Sequence, residues 1–138
     1  MGIELKTLAT GTLKAATTQP LVFNPGDGVL YAAPHTSEPF KATVKKAAVM
    51  TKAIFFNRNA SGQNPVTINI YFVRYNSLVV GASRPRRRIM PVNLVVVSGQ
   101  VITDQIPLTL EPGDALMGDA SSPNVIDYCM SGFEQLVI

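Results

Sequence analysis

The chain has 138 residues, of which 46% are hydrophobic and only 15% are charged, and its formal net charge is +3 at pH 7. This length predicts one domain spanning 1–138 that folds without disulfides, and the single cysteine, Cys129, excludes an internal disulfide. The start of the chain lacks the layout of a signal peptide, and no apolar run reaches the roughly 18 residues of a membrane span. We therefore expect a soluble protein made in a cytoplasm. The low charge suggests that a partner, or further copies of the same chain, cover part of its surface.

The first extended segments in chain order are short and lie at 11–15 and 20–23. In the segment 40–56, the second half is rich in β-branched and aromatic residues, which favours a strand, while the first half also allows a short helix. The clearest pattern is at 66–74, where Val66, Ile68, Ile70 and Phe72 alternate with more polar residues and predict a strand with one buried face. Turn-forming residues separate these two runs and predict an antiparallel hairpin.

The second half of the chain continues in the same way. A strand at 94–97 ends at a turn, and the apolar pattern restarts at 101–102. At 106–110 apolar residues alternate again, and Pro107 predicts an edge strand or a bulge because it lacks the N–H of a ladder hydrogen bond. Alternation at 126–131 predicts a further strand, and the apolar residues at 133–138 are expected in a sheet or under a neighbouring molecule.

The sequence Pro-Gly-Asp follows an apolar run twice, at 25–27 and at 112–114. Proline in the second and glycine in the third position of a turn are typical of type II turns, in which the glycine takes the positive φ. About eight to ten short strands separated by frequent turns favour a sandwich or a jelly roll. The predicted fold class is therefore all-β: a single-domain antiparallel β-sandwich of the jelly-roll type.

Residues suited to catalysis are scarce. His35 is the only histidine, so no histidine cluster is available for a metal ion or a proton relay. The aspartates are expected to stabilise turns, and neither a phosphate-binding glycine loop nor a nucleophile elbow is present. Cys129 lies in an apolar stretch, which favours a buried, inert thiol. We expect no catalytic, metal or cofactor site and no enzymatic activity.

The sharpest polar feature is a run of four arginines around Pro85, namely Arg84, Arg86, Arg87 and Arg88. Clustered guanidinium groups bind carboxylates or phosphates, so these residues are candidates for docking onto a partner. The run is expected in a loop, and three readings stay open: a solvated loop, a contact with an acidic protein surface, or a contact with nucleic acid. Nucleic acid is the least favoured, because no aromatic residues are interleaved for base stacking.

The serial order of strands and turns along the whole chain is a further signal. Apolar strands and turns follow one another at 8–13, 53–59, 66–72, 106–114 and 127–134. This layout is similar to that of the jelly-roll cement or decoration proteins on the capsids of tailed bacteriophages. The resemblance implies a protein of the virion surface that binds the lattice of the major capsid protein and bridges neighbouring subunits. It also implies a homodimer, in which the last strand or an edge strand extends a sheet across the interface.

Two alternatives stand beside the cement protein. One is a tail, baseplate or fibre component of a phage, including a glycan-binding one, although the absence of tryptophan and the presence of only four tyrosines gives little support to a glycan platform. The other is a cellular all-β binding module or an enzyme of unrecognised type.

Overall fold

A computed structural model describes residues 4–15, 28–36, 44–60, 64–74, 86–105 and 107–137. These residues contain β-strands and no helix. The strands are β1 (Glu4–Thr12), β2 (Val29–Ala32), β3 (His35–Thr36), β4 (Val44–Asn57), β5 (Val66–Val73), β6 (Arg86–Arg88), β7 (Leu94–Val96), β8 (Val101–Asp104), β9 (Leu108–Leu110), β10 (Ala115–Ala120) and β11 (Ile126–Leu136).

The strands form two antiparallel sheets that pack against each other. In the first sheet β11 lies between β1 and β4, and β3, β8 and β9 pair with β4. In the second sheet β10 lies between β2 and β5, and β6 and β7 pair with β5. Consecutive strands lie in different sheets at six connections: β1 to β2, β2 to β3, β4 to β5, β7 to β8, β9 to β10, and β10 to β11. The predicted all-β sandwich of the jelly-roll type is confirmed.

The predicted hairpin between β4 and β5 is wrong. The two strands belong to different sheets and share no ladder, because β4 is occupied by β11 on one side and by short strands on the other. The turn formers after Asn57 therefore connect two layers rather than two paired strands. The helix allowed at the start of this region is also wrong for the described residues, since β4 begins at Val44.

Pro107 interrupts the edge of the first sheet, as the sequence predicts. Pairing with β4 stops at the pair Ala53 and Asp104 and resumes at the pair Met50 and Leu108. The ladder with β4 is thus interrupted around Pro107, which lacks the N–H of a ladder hydrogen bond.

The predicted turn at 111–114 is confirmed. The N–H of Asp114 donates to the carbonyl oxygen of Glu111 at 2.9 Å, and Gly113 has a φ of 88°. The buried carboxylate of Asp114 accepts the N–H of Glu111 at 2.9 Å, so this aspartate stabilises the turn. The corresponding turn at 25–27 lies outside the described residues.

The core lies between the sheets, where the alternation of β5 buries Val66, Ile68 and Ile70. Phe72 departs from the prediction and is half-buried, near the guanidinium group of Arg74 at 5.8 Å. The largest fully buried side chains are those of Phe55, Leu13, Met50, Ile68, Ile70, Leu110, Leu116, Ile126, Met130, Val66, Val73 and Val96.

Candidate functional site

The outer surface of the first sheet carries several apolar side chains. Directly paired residues of adjacent strands share a face of the sheet. Phe133 pairs with Val49, and Phe56 pairs with Val101. Ile54 lies between these pairs, on the same side of β4 as Phe56. We call these five residues the apolar face.

The apolar face is accessible to solvent. Phe56 is 37% exposed, Val101 is 54% exposed and Phe133 is 36% exposed. Exposed single apolar residues are ordinary, but a run of them across adjacent strands is typical of an interaction surface. Near the end of β11, Leu136 and Val137 are also exposed, but Leu136 lies on the same side of the strand as Glu134 and not on that of Phe133. The prediction that these last residues join a sheet is confirmed for 133–136.

A groove crosses one end of the apolar face. Its volume is about 360 Å³, and its walls include Ala47, Val49, Pro107, Thr109 and Phe133. The pairs Val49 with Thr109 and Val49 with Phe133 place these three side chains in one row across three strands. The groove is therefore part of the sheet surface and large enough for one or two side chains of a partner.

Cys129 lies on the outer surface of the same sheet. It pairs with Thr10 on one side and with Ile54 on the other, and it is half-buried. The prediction of a buried thiol is therefore wrong. The apolar stretch around Cys129 reflects a strand with apolar residues on both faces, so apolar neighbours in sequence do not imply burial.

The predicted arginine loop is a strand over its described part. Arg86–Arg88 form β6, which pairs with Tyr71, Phe72 and Val73 at the edge of the second sheet. Arg84 lies outside the described residues. The loop prediction is wrong at 86–88 because consecutive charges do not prevent backbone pairing at an edge, where Arg87 and Arg88 stay exposed.

Arg88 is held in place by its neighbours. Its guanidinium group lies 5.1 Å from the centre of the Tyr71 ring and donates a hydrogen bond to the side-chain oxygen of Asn69. Asn69 is also bonded to Asn93 at 2.9 and 3.0 Å and lies 3.5 Å from a carboxylate oxygen of Asp119. Because Arg88 covers one face of the Tyr71 ring, this ring is not an open platform for a sugar.

Arg87 differs from Arg88 in having no partner within the described ranges. It is exposed and pairs through its backbone with Phe72. Of the predicted docking arginines, Arg87 is therefore the one whose described surroundings leave the guanidinium group available to a partner. Nothing in the structure tests whether it docks, so this remains a prediction.

Among the residues whose burial is described, one glutamate is buried, and it lies in β11. Glu134 is 5% exposed and forms an ion pair of 2.8 Å with Lys6. Burial, and then the negative charge of Glu134, raise the pKa of Tyr31 well above its usual value. These contacts link β1, β2 and β11 and have a structural role.

Other described carboxylates also have hydrogen-bond or ion-pair partners. Asp127 accepts the hydroxyl of Thr12 at 3.0 Å and lies 3.8 Å from Arg58, and Glu111 pairs with Arg74 at 3.1 Å. Across the described ranges, no group of three His, Cys, Asp or Glu residues could hold a metal ion. Within the same ranges, no helix is long and apolar enough to cross a membrane.

Sequence reasoning identified the arginines but missed the apolar face. Its signal was present in β4, where Val49, Ile54 and Phe56 are as apolar as the buried residues between them. A strand that is apolar on both faces, in a sheet with one core, must expose one of those faces.

No protein-family model matches the sequence, and no curated protein matches it either. Among solved structures, the chain is similar to the CBM22-1 xylan-binding domain of Xyn10C from Paenibacillus barcinonensis. The two are 11% identical with a TM-score of 0.40, and the match covers 99% of this chain and 98% of that chain. A likeness at this level carries no information on ligand or partner.

Proposed function

We propose that this chain is a non-catalytic virion structural protein of the cement or decoration type. It binds the outside of a capsid shell through the apolar face and bridges neighbouring subunits of the major capsid protein. The observation that carries the proposal is the apolar face itself. Exposed aromatic and aliphatic side chains on a flat sheet gain free energy mainly by being covered with a complementary protein surface.

A repeating lattice suits such a surface. A sheet whose central strands, β4 and β11, are fixed by pairing on both sides loses little conformational entropy when it docks. A single face of this size gives modest affinity, but contacts with two adjacent subunits raise the effective concentration at the second contact. Bridging therefore stabilises both the bound chain and the shell beneath it.

The basic edge at β6 supplies a second contact in this proposal. Arg87 is exposed on the second sheet, away from the apolar face, and a guanidinium group there would pair with carboxylates of a neighbouring subunit. This contact contributes mainly to the rate of association and to orientation.

The homodimer implied by the resemblance remains part of the proposal, with one correction. The last strand, β11, lies between β1 and β4 and has no free edge, so it cannot extend a sheet into a second copy. An edge strand must do so, and β1 is the longest strand at an edge of the first sheet.

Sedimentation with particles tests the proposal. Purified chain is mixed with undecorated shells of the phage that encodes it and, separately, with tails. We expect saturable co-sedimentation with shells only and a rise in the temperature at which the shells disrupt.

A matched pair of variants tests the surface. Val101→Ser removes an exposed valine of the apolar face, and Val95→Ser removes one with similar exposure, 50% against 54%, on the second sheet. We expect Val101→Ser alone to weaken shell binding. Binding to tails but not to shells would favour a tail component and overturn the proposal.

A further inference from the structure

The groove on the apolar face has basic residues at both of its ends along β4. Lys45 is two residues before the groove wall residue Ala47, and Lys52 directly follows the wall residue Thr51. Lys45 is exposed and Lys52 is half-buried. Lys52 lies on the same side of β4 as Ile54 and Phe56, since its partner Ser131 alternates with Cys129 and Asp127.

Neither lysine has an ion pair within the described ranges. Among the described residues, the two carboxylates near the face have partners. Asp127 accepts the hydroxyl of Thr12 and forms an ion pair with Arg58, and Glu134, which also lines the groove, is paired with Lys6 on the core side of β11. The described part of the groove is thus an apolar depression between two lysines without a described counter-charge.

We propose that this groove binds an extended acidic segment of the shell protein, in which an apolar side chain fills the groove and flanking carboxylates meet Lys45 and Lys52. This inference rests on the proposed function and specifies the chemistry of the partner. Seven residue steps along a strand separate the two lysines, a span of roughly 23 Å, which an extended segment of about eight residues matches.

Charge complementarity favours an acidic segment over a second copy of the same face as the occupant of the groove. Two such faces in a symmetric dimer would bring the same lysines together, without a free carboxylate from the described part of either face. An acidic segment removes that repulsion and adds two charge-assisted contacts at the rim, while the groove contributes apolar burial.

Peptide titrations followed by NMR test the inference on the full chain. The probes are three capped octapeptides with serine at the even positions. Positions 1, 3, 5 and 7 carry Asp-Leu-Leu-Asp in the Asp–Leu peptide, Lys-Leu-Leu-Lys in the Lys–Leu peptide, and Asp-Ser-Ser-Asp in the third, so that these side chains share one face of the extended peptide. We expect only the Asp–Leu peptide to shift the amide signals of Ala47, Val49 and Phe133 in a saturable manner. Raising the salt from 50 to 300 mM should weaken its binding several-fold, since rim charges are screened.

A charge-reversal pair supplies the control. The double variant Lys45→Glu with Lys52→Glu should weaken Asp–Leu binding at least about tenfold, whereas Arg87→Glu on the other sheet should change it less than about twofold. Equal binding of the Lys–Leu peptide, or no effect of the double variant at unchanged melting temperature, would overturn the inference.

Shell sedimentation separates this inference from the proposed function. If wild-type chain binds shells and the double variant binds them equally well, the acidic segment is wrong and the docking proposal stands. If wild-type chain ignores shells, the docking proposal fails, and the peptide titrations alone decide what the groove prefers.

Discussion

The side-chain nitrogen of Asn57 donates a hydrogen bond of 2.9 Å to the carbonyl oxygen of Val96, and this bond joins the two sheets. Asn57 ends β4 in the first sheet and Val96 ends β7 in the second. The side-chain oxygen of Asn57 accepts the N–H of Asn59, and its backbone bonds with Gly99 and Gln100. Asn57 is fully buried. Its hydrogen bonds hold together two places where the chain crosses between the sheets, after β4 and after β7.

Asn57→Ala should therefore lower the free energy of unfolding by about 2 to 3 kcal/mol, because it leaves a buried carbonyl oxygen and a backbone N–H without their partners. Urea denaturation measures this change. Asn64→Ala, at an exposed position, is the control and should change stability by less than about 0.5 kcal/mol. An equal effect of the two substitutions would contradict the role of Asn57.

Gly132 lies where the backbone of β4 comes too close for a side chain. A Cβ atom there would be 1.9 Å from the carbonyl oxygen of Val49 and 3.0 Å from the Cα of Met50. Gly132→Ala should cost more than about 3 kcal/mol, since backbone atoms must move. Gly11→Ala should cost less, because its Cβ would meet the hydroxyl of Tyr128 at 2.7 Å and that side chain can turn away. Thermal denaturation ranks the two, and the reverse order would contradict the register of β4 and β11.

Adjacent phenylalanines of β4 test which face is buried. Phe55 is 0% exposed and Phe56 is 37% exposed. Phe55→Ala should lower stability by about 3 to 5 kcal/mol, whereas Phe56→Ala should cost less than about 1 kcal/mol. Denaturant titration of both variants measures the difference, and similar losses would mean that the apolar face is covered within the chain itself.

Alkaline pH should destabilise the fold through Tyr31. Burial, and then Glu134, raise the pKa of Tyr31 in the folded state, while the unfolded chain keeps the ordinary value of 10.0. Above pH 10 the unfolded chain therefore loses a proton that the folded chain keeps, so stability falls as the pH rises. Tyr31→Phe should flatten this slope between pH 9 and 11.5, as measured by urea midpoints. A slope identical to that of wild type would rule out Tyr31 as its source.

Substitution of Arg88 should lower the stability of the fold more than substitution of its neighbour Arg87. Arg88→Ala removes the contact with the Tyr71 ring and the hydrogen bond to Asn69, and should cost about 1 kcal/mol. Arg87→Ala removes an exposed side chain without a described partner and should cost close to nothing. Differential scanning calorimetry compares them, and a larger loss for Arg87 would contradict this assignment.

The sequence was sufficient for the fold class but not for the pairing. The two-residue alternation of β5 and the turn at 111–114 depend on local chemistry and were predictable. The hairpin of β4 with β5 failed because strand pairing depends on which partners compete for each edge, and β11, far along the chain, occupies β4. Turn formers after Asn57 look the same whether the chain returns to its own sheet or crosses to the other.

The candidate site also had one part that the sequence could predict, the arginines, and one part that it could not, the apolar face. A charged run such as the arginines is visible in any sequence, although its strand pairing is not. The apolar face required knowing which side of β4 meets the core, because Phe55 and Phe56 are chemically identical and only the packing distinguishes them.

Cryo-electron microscopy of the decorated particle tests the central claim most directly. We expect density for the chain on the outside of the shell, with the apolar face (Val49, Ile54, Phe56, Val101 and Phe133) against capsid subunits and the second sheet away from them. Density on the tail, or a shell contact made by the second sheet with the apolar face open to solvent, would contradict it.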